Sequence, residues 1–88
     1  MNLEETRKEI DNIDDEIISL LSKRQDLIKK IAEIKKELNK SVLDEKREGE
    51  IIEKLKIKAK ENGLDANFVV SLYNIILENS RNQQEKWK

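Results

Sequence analysis

The sequence predicts an all-α protein with one long helix and two shorter ones, because helix breakers are rare and apolar residues are regularly spaced. The 88 residues include no proline and only two glycines, so few positions interrupt a helix. Apolar side chains recur at three- and four-residue steps, which is the spacing of one helix face. The length is that of one domain, and we expect it to cover residues 1–88.

The first predicted helix covers residues 3–38 and carries a continuous packing seam. Two interleaved apolar series, each repeating at multiples of seven residues, form this seam: Leu3, Ile10, Ile17, Ile31 and Leu38, with Ile13, Leu20, Leu27 and Ile34. Such alternation is typical of a helix that packs along its whole length. At 1.5 Å per residue, the helix is about 54 Å long.

Two shorter helices are predicted in the second half of the chain. The apolar pattern breaks at residues 39–41, and either Ser41 or Asp44 can cap a second helix over residues 44–62. Gly63 fits the left-handed position that follows a helix end. Asp65 can then cap a third helix that continues into the C-terminal segment.

The helix lengths predict that two chains pack together. The second and third helices are about 27 and 30 Å long, too short to cover the seam of the first. Apolar residues are 36% of the chain and charged residues 42%, so one chain has little material for a core. We therefore predict an intertwined six-helix homodimer, in which two long helices cross antiparallel and short helices from both chains flank them. A plain coiled coil would also satisfy the spacing.

The composition argues against several classes of function. The 18 basic and 19 acidic residues are interleaved and give a net charge of −1. The chain therefore has no strong electrostatic field that would attract nucleic acid or an anionic membrane surface. Cysteine and histidine are absent, which argues against a zinc site and against disulfides. Neither a signal peptide nor a run of about 20 apolar residues is present. We expect a cytoplasmic protein.

Polar residues occupy positions on all three apolar stripes. Arg24 interrupts the seven-residue series of the first helix, and Lys35 lies on nearly the same face, about 16 Å further along. The other polar positions begin the second stripe and end the third: Asp44, Arg47 and Glu48, then Ser80 and Gln84. Each residue alone has a structural explanation, as a helix cap, as a residue that fixes the register of paired helices, or as a surface charge. Together they predict a cation-rich cluster for a small anionic ligand.

Arg7 joins this cluster only in the predicted dimer. It lies on the same helix face as Lys35. However, it is about 25 Å from Arg24 of its own helix, which is too far to share a small ligand. In an antiparallel pair that crosses near residue 18, Arg7 of the partner subunit would lie opposite residue 29. The dimer would therefore bring three cations to one pocket.

The same residues resemble the signature of the all-helical, type II chorismate mutases. The match runs without a gap from residue 6 to Gln84 and includes the segments TRKEIDNID (6–14), LLSKR (20–24), IKK (34–36), DEKRE (44–48) and NSRNQQ (79–84). The resemblance implies an isomerase that rearranges chorismate to prephenate, working as a homodimer without any cofactor or metal.

By this resemblance, the catalytic residues are Lys35, Gln84 and Arg24. Arg7 of one chain and Arg24 of the other would bind the two substrate carboxylates, while Lys35 and Gln84 would hydrogen-bond the ether oxygen of the breaking C–O bond. The reaction is pericyclic and requires no base or nucleophile. The enzyme would restrict the substrate to a compact conformer and place positive charge beside that oxygen.

The resemblance also implies roles for the remaining predicted substrate-binding residues. Glu48 and Asp44 would meet the ring hydroxyl, with Arg47 and Ser80 completing the site. The acidic pair favours a mutase over the nearest alternative, an isochorismate pyruvate lyase of the same fold, which lacks that pair.

Two non-catalytic interpretations also fit part of the pattern. A helical dimerisation module explains the seam, but it predicts that Arg24→Ala is harmless or stabilising. A regulatory or targeting piece fits less well, because 88 residues leave no room for a second catalytic domain or an effector site. We expect stand-alone catalysis, and the sequence is compatible with association with another shikimate-pathway enzyme.

Overall fold

The computed structural model describes residues 1–87, which form three helices and no strand. Helix α1 spans Leu3–Glu37, α2 spans Glu45–Glu61 and α3 spans Ala66–Lys86. The predicted all-α class and the order of one long and two shorter helices are confirmed. Within this part of the chain, none of the helices has the combined length and apolar character of a membrane-spanning segment.

The helix ends differ from the predicted ones by a single residue, because the terminal residues are caps. Asp44 accepts a hydrogen bond from the Arg47 backbone N–H at 3.0 Å and caps α2. Ser41, the other predicted cap, does not cap α2. Its hydroxyl donates a hydrogen bond to the Leu43 carbonyl. Asp65 caps α3 by accepting a hydrogen bond from the Asn67 backbone N–H at 2.9 Å.

Two residues with positive φ follow the ends of α1 and α2. Gly63 has φ +69° after α2, as the sequence predicted. Asn39 has φ +55° after α1, a conformation that asparagine adopts more readily than most residues. After the turn at Gly63, α3 packs against α2.

Helix α3 is the central element of the packing. It contacts both other helices, whereas no Cα atom of α1 lies within 8 Å of a Cα atom of α2. The buried apolar side chains come from all three helices and from the loop before α2: Ala32, Val42, Ala59, Val69 and Leu77. This small core holds the C-terminal part of α1 and the whole of α2 against α3.

The first 23 residues are all exposed and carry most of the predicted seam. Leu3, Ile10, Ile13, Ile17 and Leu20 are each about half exposed or more, between 49% and 66%. The chain measures 55 × 24 × 15 Å, and its radius of gyration of 16.1 Å exceeds the value of about 12 Å for a compact chain of this length. One chain therefore leaves its longest apolar surface in water.

The accessible surface gives a size for this unpacked region. The chain exposes 7286 Å², against about 5,400 Å² for a compact protein of 10.4 kDa. The excess of about 1,900 Å² lies within the range of about 1,000–2,500 Å² that each chain of an obligate dimer buries. This excess, in a chain whose first helix exposes its apolar seam, is typical of a protein with an interaction face.

Candidate active site

Seven of the eight predicted site residues line one cavity of about 270 Å³ between the three helices. They come from α1, from the start of α2 with its cap, and from the end of α3: Arg24 and Lys35; Asp44, Arg47 and Glu48; Ser80 and Gln84. Ile28, Ile31, Val42, Ile51 and Leu77 supply the apolar part of the wall. Both the volume and the mixture of apolar wall and convergent polar groups suit a small ligand.

Helical periodicity explains why each helix presents its polar groups together. Arg24 and Lys35 are eleven residues apart, which is close to three full turns, so both face the cavity. Ser80 and Gln84 are one turn apart on α3, and Glu48 follows Asp44 by the same step. The folding of α2 back along α3 then brings these faces together.

Arg24 is held at the cavity wall by Ser80. Its guanidinium donates a hydrogen bond to the Ser80 hydroxyl, which donates in turn to the Ile76 carbonyl at 2.9 Å. Ser80 is buried and Arg24 half-buried. Since a guanidinium carries five N–H donors, most of them remain for a ligand, and their planar arrangement matches a carboxylate.

Lys35 is held by the loop between α1 and α2. Its ammonium donates to the Val42 carbonyl at 2.7 Å, and the Val42 side chain is buried. An ammonium has three N–H donors, so two remain for other partners. The loop thus positions the lysine without neutralising its charge.

Gln84 is the most buried polar residue of the site, at 5% exposed. Its side-chain oxygen has no hydrogen-bond partner among the described residues. A buried polar atom without a partner is costly, and most such atoms in proteins are paired. Gln84 thus brings a buried amide with an unused acceptor to the cavity wall.

The acidic side chains of the cavity differ in their surroundings. Glu48 is half-buried and accepts a hydrogen bond from Arg81 at 2.5 Å. Asp44 is exposed at the rim, where it serves as the cap of α2. Arg47 is also exposed, and its nearest carboxylate, that of Glu50, is 4.0 Å away.

Arg81 lines the same cavity but was not among the predicted site residues. A signal for it exists in the sequence, since Leu77, Ser80, Arg81 and Gln84 have the i, i+3, i+4, i+7 spacing of one helix face. With it, four cations and two carboxylates line the cavity, for a formal charge of 4 − 2 = +2. This balance suits a ligand with two negative charges.

Arg7 is the predicted site residue that this cavity does not include. It lies in the exposed first part of α1. This placement agrees with the expectation that Arg7 cannot meet Arg24 of its own chain. Its contribution to the site of a second chain stays a prediction.

A second cavity, of about 300 Å³, lies between α1 and α3. It shares Arg24 and Ser80 with the first, and its other lining residues include Leu21, Ile28 and Ile75. Arg24 is the one charged side chain in its lining. It therefore lacks the several cations that a dianion requires.

Comparison with known proteins identifies the family. The family described as chorismate mutase type II matches residues 6–85 of the chain. The chain belongs to the type II chorismate mutase family. The matched range includes all eight predicted site residues, and the resemblance drawn from the motifs is confirmed at the level of the family.

Individual relatives agree with this assignment. The chain is 34% identical over 85 residues to a chorismate mutase of Methanocaldococcus jannaschii, a match that covers 97% of this chain and 86% of that protein. It is 41% identical over 80 residues to a bifunctional chorismate mutase/prephenate dehydratase of Buchnera aphidicola subsp. Schizaphis graminum, covering 91% of this chain. A bifunctional protein of the same description in Aquifex aeolicus is 51% identical over 53 residues, or 60% of this chain.

The chain spans about a fifth of the length of the bifunctional Buchnera relative, 21%. The chorismate mutase of M. jannaschii, by contrast, is matched over most of its length. The prediction of an isomerase, rather than of a dimerisation module alone, is thus supported by the family and its named relatives.

Proposed function

We propose that the chain converts chorismate to prephenate in the cavity between its three helices, and that a second copy of the chain completes this site. One observation carries the proposal: the cavity unites Arg24, Lys35 and Gln84 with Glu48 in a wall of formal charge +2. The motif residues named from the sequence come from three separate helices. Their convergence on one small cavity supports a common ligand.

The first role of the site is to fold the substrate into a reactive conformer. Chorismate carries two carboxylates, and the rearrangement breaks a C–O bond while a C–C bond forms within the same molecule. Arg24 binds one carboxylate with the guanidinium N–H groups that Ser80 does not use. Binding of both carboxylates restricts the substrate to few conformations. Less conformational entropy then remains to be lost when the reaction occurs.

The second role is electrostatic. Negative charge develops on the ether oxygen as the C–O bond breaks, and donors fixed beside that oxygen stabilise the transition state more than the substrate. Lys35 has two free N–H donors after its bond to Val42. Gln84 presents a buried amide whose oxygen lacks a partner, and a half-turn of that amide presents its N–H group instead.

The third role is recognition of the ring hydroxyl by carboxylate oxygens. Glu48 has one oxygen bound by Arg81, which leaves the other to accept a hydrogen bond from the substrate. Asp44 lies at the rim of the same cavity, with Arg47 one turn into α2. By the resemblance, the acidic pair Asp44 and Glu48 favours a mutase over a lyase of the same fold.

We further propose an intertwined homodimer in which the two α1 helices cross antiparallel. Two findings support it: the seam of α1 is exposed, and the chain has about 1,900 Å² more surface than a compact protein of its mass. A crossing near residue 18 brings Arg7 of the partner subunit between Arg24 and Lys35. Arg7 would then bind the second substrate carboxylate.

The activity is tested by incubating the purified protein with chorismate and, separately, with isochorismate. We expect prephenate from chorismate, and a mass in solution of two chains. Pyruvate release from isochorismate with no prephenate from chorismate would assign the lyase activity instead. A folded dimer that acts on neither compound would leave only a dimerisation role.

The shared site is tested by mixing two inactive variants, Arg7→Ala and Arg24→Ala. After denaturation and refolding together, half of the dimers contain one chain of each kind, and each such dimer has one site with both arginines intact. About a quarter of the wild-type activity should therefore return. No recovery in mixed dimers of confirmed composition would mean that Arg7 acts within its own chain, and an active Arg7→Ala variant would mean that Arg7 has no role.

We also propose that the protein acts in the cytoplasm, as its composition predicts. The bifunctional relatives carry chorismate mutase and prephenate dehydratase in one protein. By analogy, we propose that this chain works beside an enzyme that consumes prephenate, whether joined to it or not.

A further inference from the structure

We infer that Arg81 is a positioning residue for the reaction proposed above: it orients the Glu48 carboxylate toward the substrate hydroxyl. The inference rests on the proposed function, because it concerns the same site. None of the roles implied by the sequence motifs includes Arg81.

The contact between the two residues joins separate helices across the cavity. The Arg81 guanidinium lies 2.5 Å from the Glu48 carboxylate, and the two residues are 33 positions apart in the sequence. Their side chains are 33% and 24% exposed. Two other ion pairs, Arg47–Glu50 and Lys56–Glu53, instead join exposed side chains three residues apart within α2.

The pair leaves Glu48 able to act on a ligand. Arg81 binds the Oε1 atom, so Oε2 remains to accept a hydrogen bond. Without this partner, the flexible side chain of Glu48 would rotate toward water, and its unpaired charge would repel an anionic substrate.

Packing of the helices alone does not account for the pair. Ala59 of α2 and Val69 and Leu77 of α3 are already buried in the core. The ion pair lies at one end of these helices, where both of its members line the cavity. A role in the site explains this location, whereas an ion pair that only joins the two helices could lie anywhere along α2 and α3.

The inference is tested with Arg81→Met, Arg81→Lys, Glu48→Gln and the double variant Arg81→Met/Glu48→Gln. For each variant, kcat and KM for chorismate and the melting temperature are measured. We expect Arg81→Met to lower kcat/KM about tenfold, by analogy with partners that orient metal ligands, whose loss costs about 10–100-fold. Arg81→Lys should recover most of that loss, because an ammonium still provides one charged donor.

The double variant distinguishes positioning from direct contact. If Arg81 acts through Glu48, Arg81→Met should change kcat/KM less than twofold in the Glu48→Gln background. The matched control is Lys56→Met, which removes an exposed ion pair of α2 outside the site and should leave kcat/KM within twofold of wild type.

Three results would overturn the inference. Equal losses of kcat/KM in both backgrounds would mean that Arg81 contacts the substrate directly. A lower melting temperature with unchanged kinetics would show a purely structural clamp, and unchanged values of both would show no role. If Arg81→Met does not fold, Arg81→Gln in the two backgrounds provides the same comparison. A wild-type protein that does not convert chorismate contradicts the proposed function itself, which separates that failure from the others.

Discussion

Lys35 donates a hydrogen bond to the backbone carbonyl of Val42, and the bond spans the loop between α1 and α2. The Val42 side chain is 8% exposed and packs into the core, so the loop is anchored at the residue that receives the lysine. No proline restricts this loop. The position of an expected catalytic ammonium therefore depends on one buried valine and one carbonyl group.

Val42→Ala should impair both the stability of the protein and its activity. The loss of two buried methyl groups is expected to lower the free energy of unfolding by about 1–2 kcal/mol. We also expect kcat to fall severalfold, because a looser loop holds Lys35 less firmly. Thermal unfolding and steady-state kinetics well below the melting temperature measure the two effects.

Leu43→Ala is the matched control for this loop, since Leu43 is 49% exposed. It should lower the stability of the monomer fold much less and leave kcat unchanged. If Val42→Ala lowered the melting temperature but kept the wild-type kcat, the loop would have no part in positioning the lysine.

Arg24→Ala should abolish most of the activity while the dimer persists. Loss of a preorganised charged donor is expected to cost about 3 kcal/mol or more of transition-state stabilisation, measured as kcat/KM. Lys23→Ala, an exposed neighbour on the same helix, is the control and should behave as wild type. An active Arg24→Ala enzyme would refute the assignment of the site.

Gln84→Glu should make the activity dependent on acid. A protonated carboxyl group can donate to the ether oxygen as the amide does, whereas an ionised one repels it. Activity should therefore be present at low pH and be lost as pH rises through the pKa of the introduced carboxyl group. The pH profile of kcat/KM, with exposed Asn82→Asp as control, measures this. A profile identical to wild type would place Gln84 away from the reacting oxygen.

The two glycines should respond in opposite directions to alanine. Gly49 is inside α2, and a Cβ atom there would meet nothing within 4 Å. Gly49→Ala should therefore raise the free energy of unfolding by about 0.5–1 kcal/mol. Gly63→Ala should lower it, because φ is +69° there. Denaturant unfolding measures both changes, and a destabilised Gly49→Ala variant would indicate that the partner chain contacts this position.

Local features of the sequence account for much of the fold and of the site. The helices were predicted to within a residue because their caps, Asp44 and Asp65, and the turn at Gly63 act within a few positions of the chain. The residues of each polar face were also predictable, since a helix fixes the direction of every side chain relative to its neighbours.

The sequence by itself therefore determined three helices, their polar faces and membership of one enzyme family. Only the tertiary structure decided how those faces meet: that Arg81 binds Glu48, that Ser80 holds Arg24, and that the Val42 carbonyl receives Lys35. The physical reason is the separation in sequence of the residues that interact. Helix periodicity follows from bonds between residues four positions apart, whereas these contacts depend on how α3 packs against two other elements and on the path of a loop.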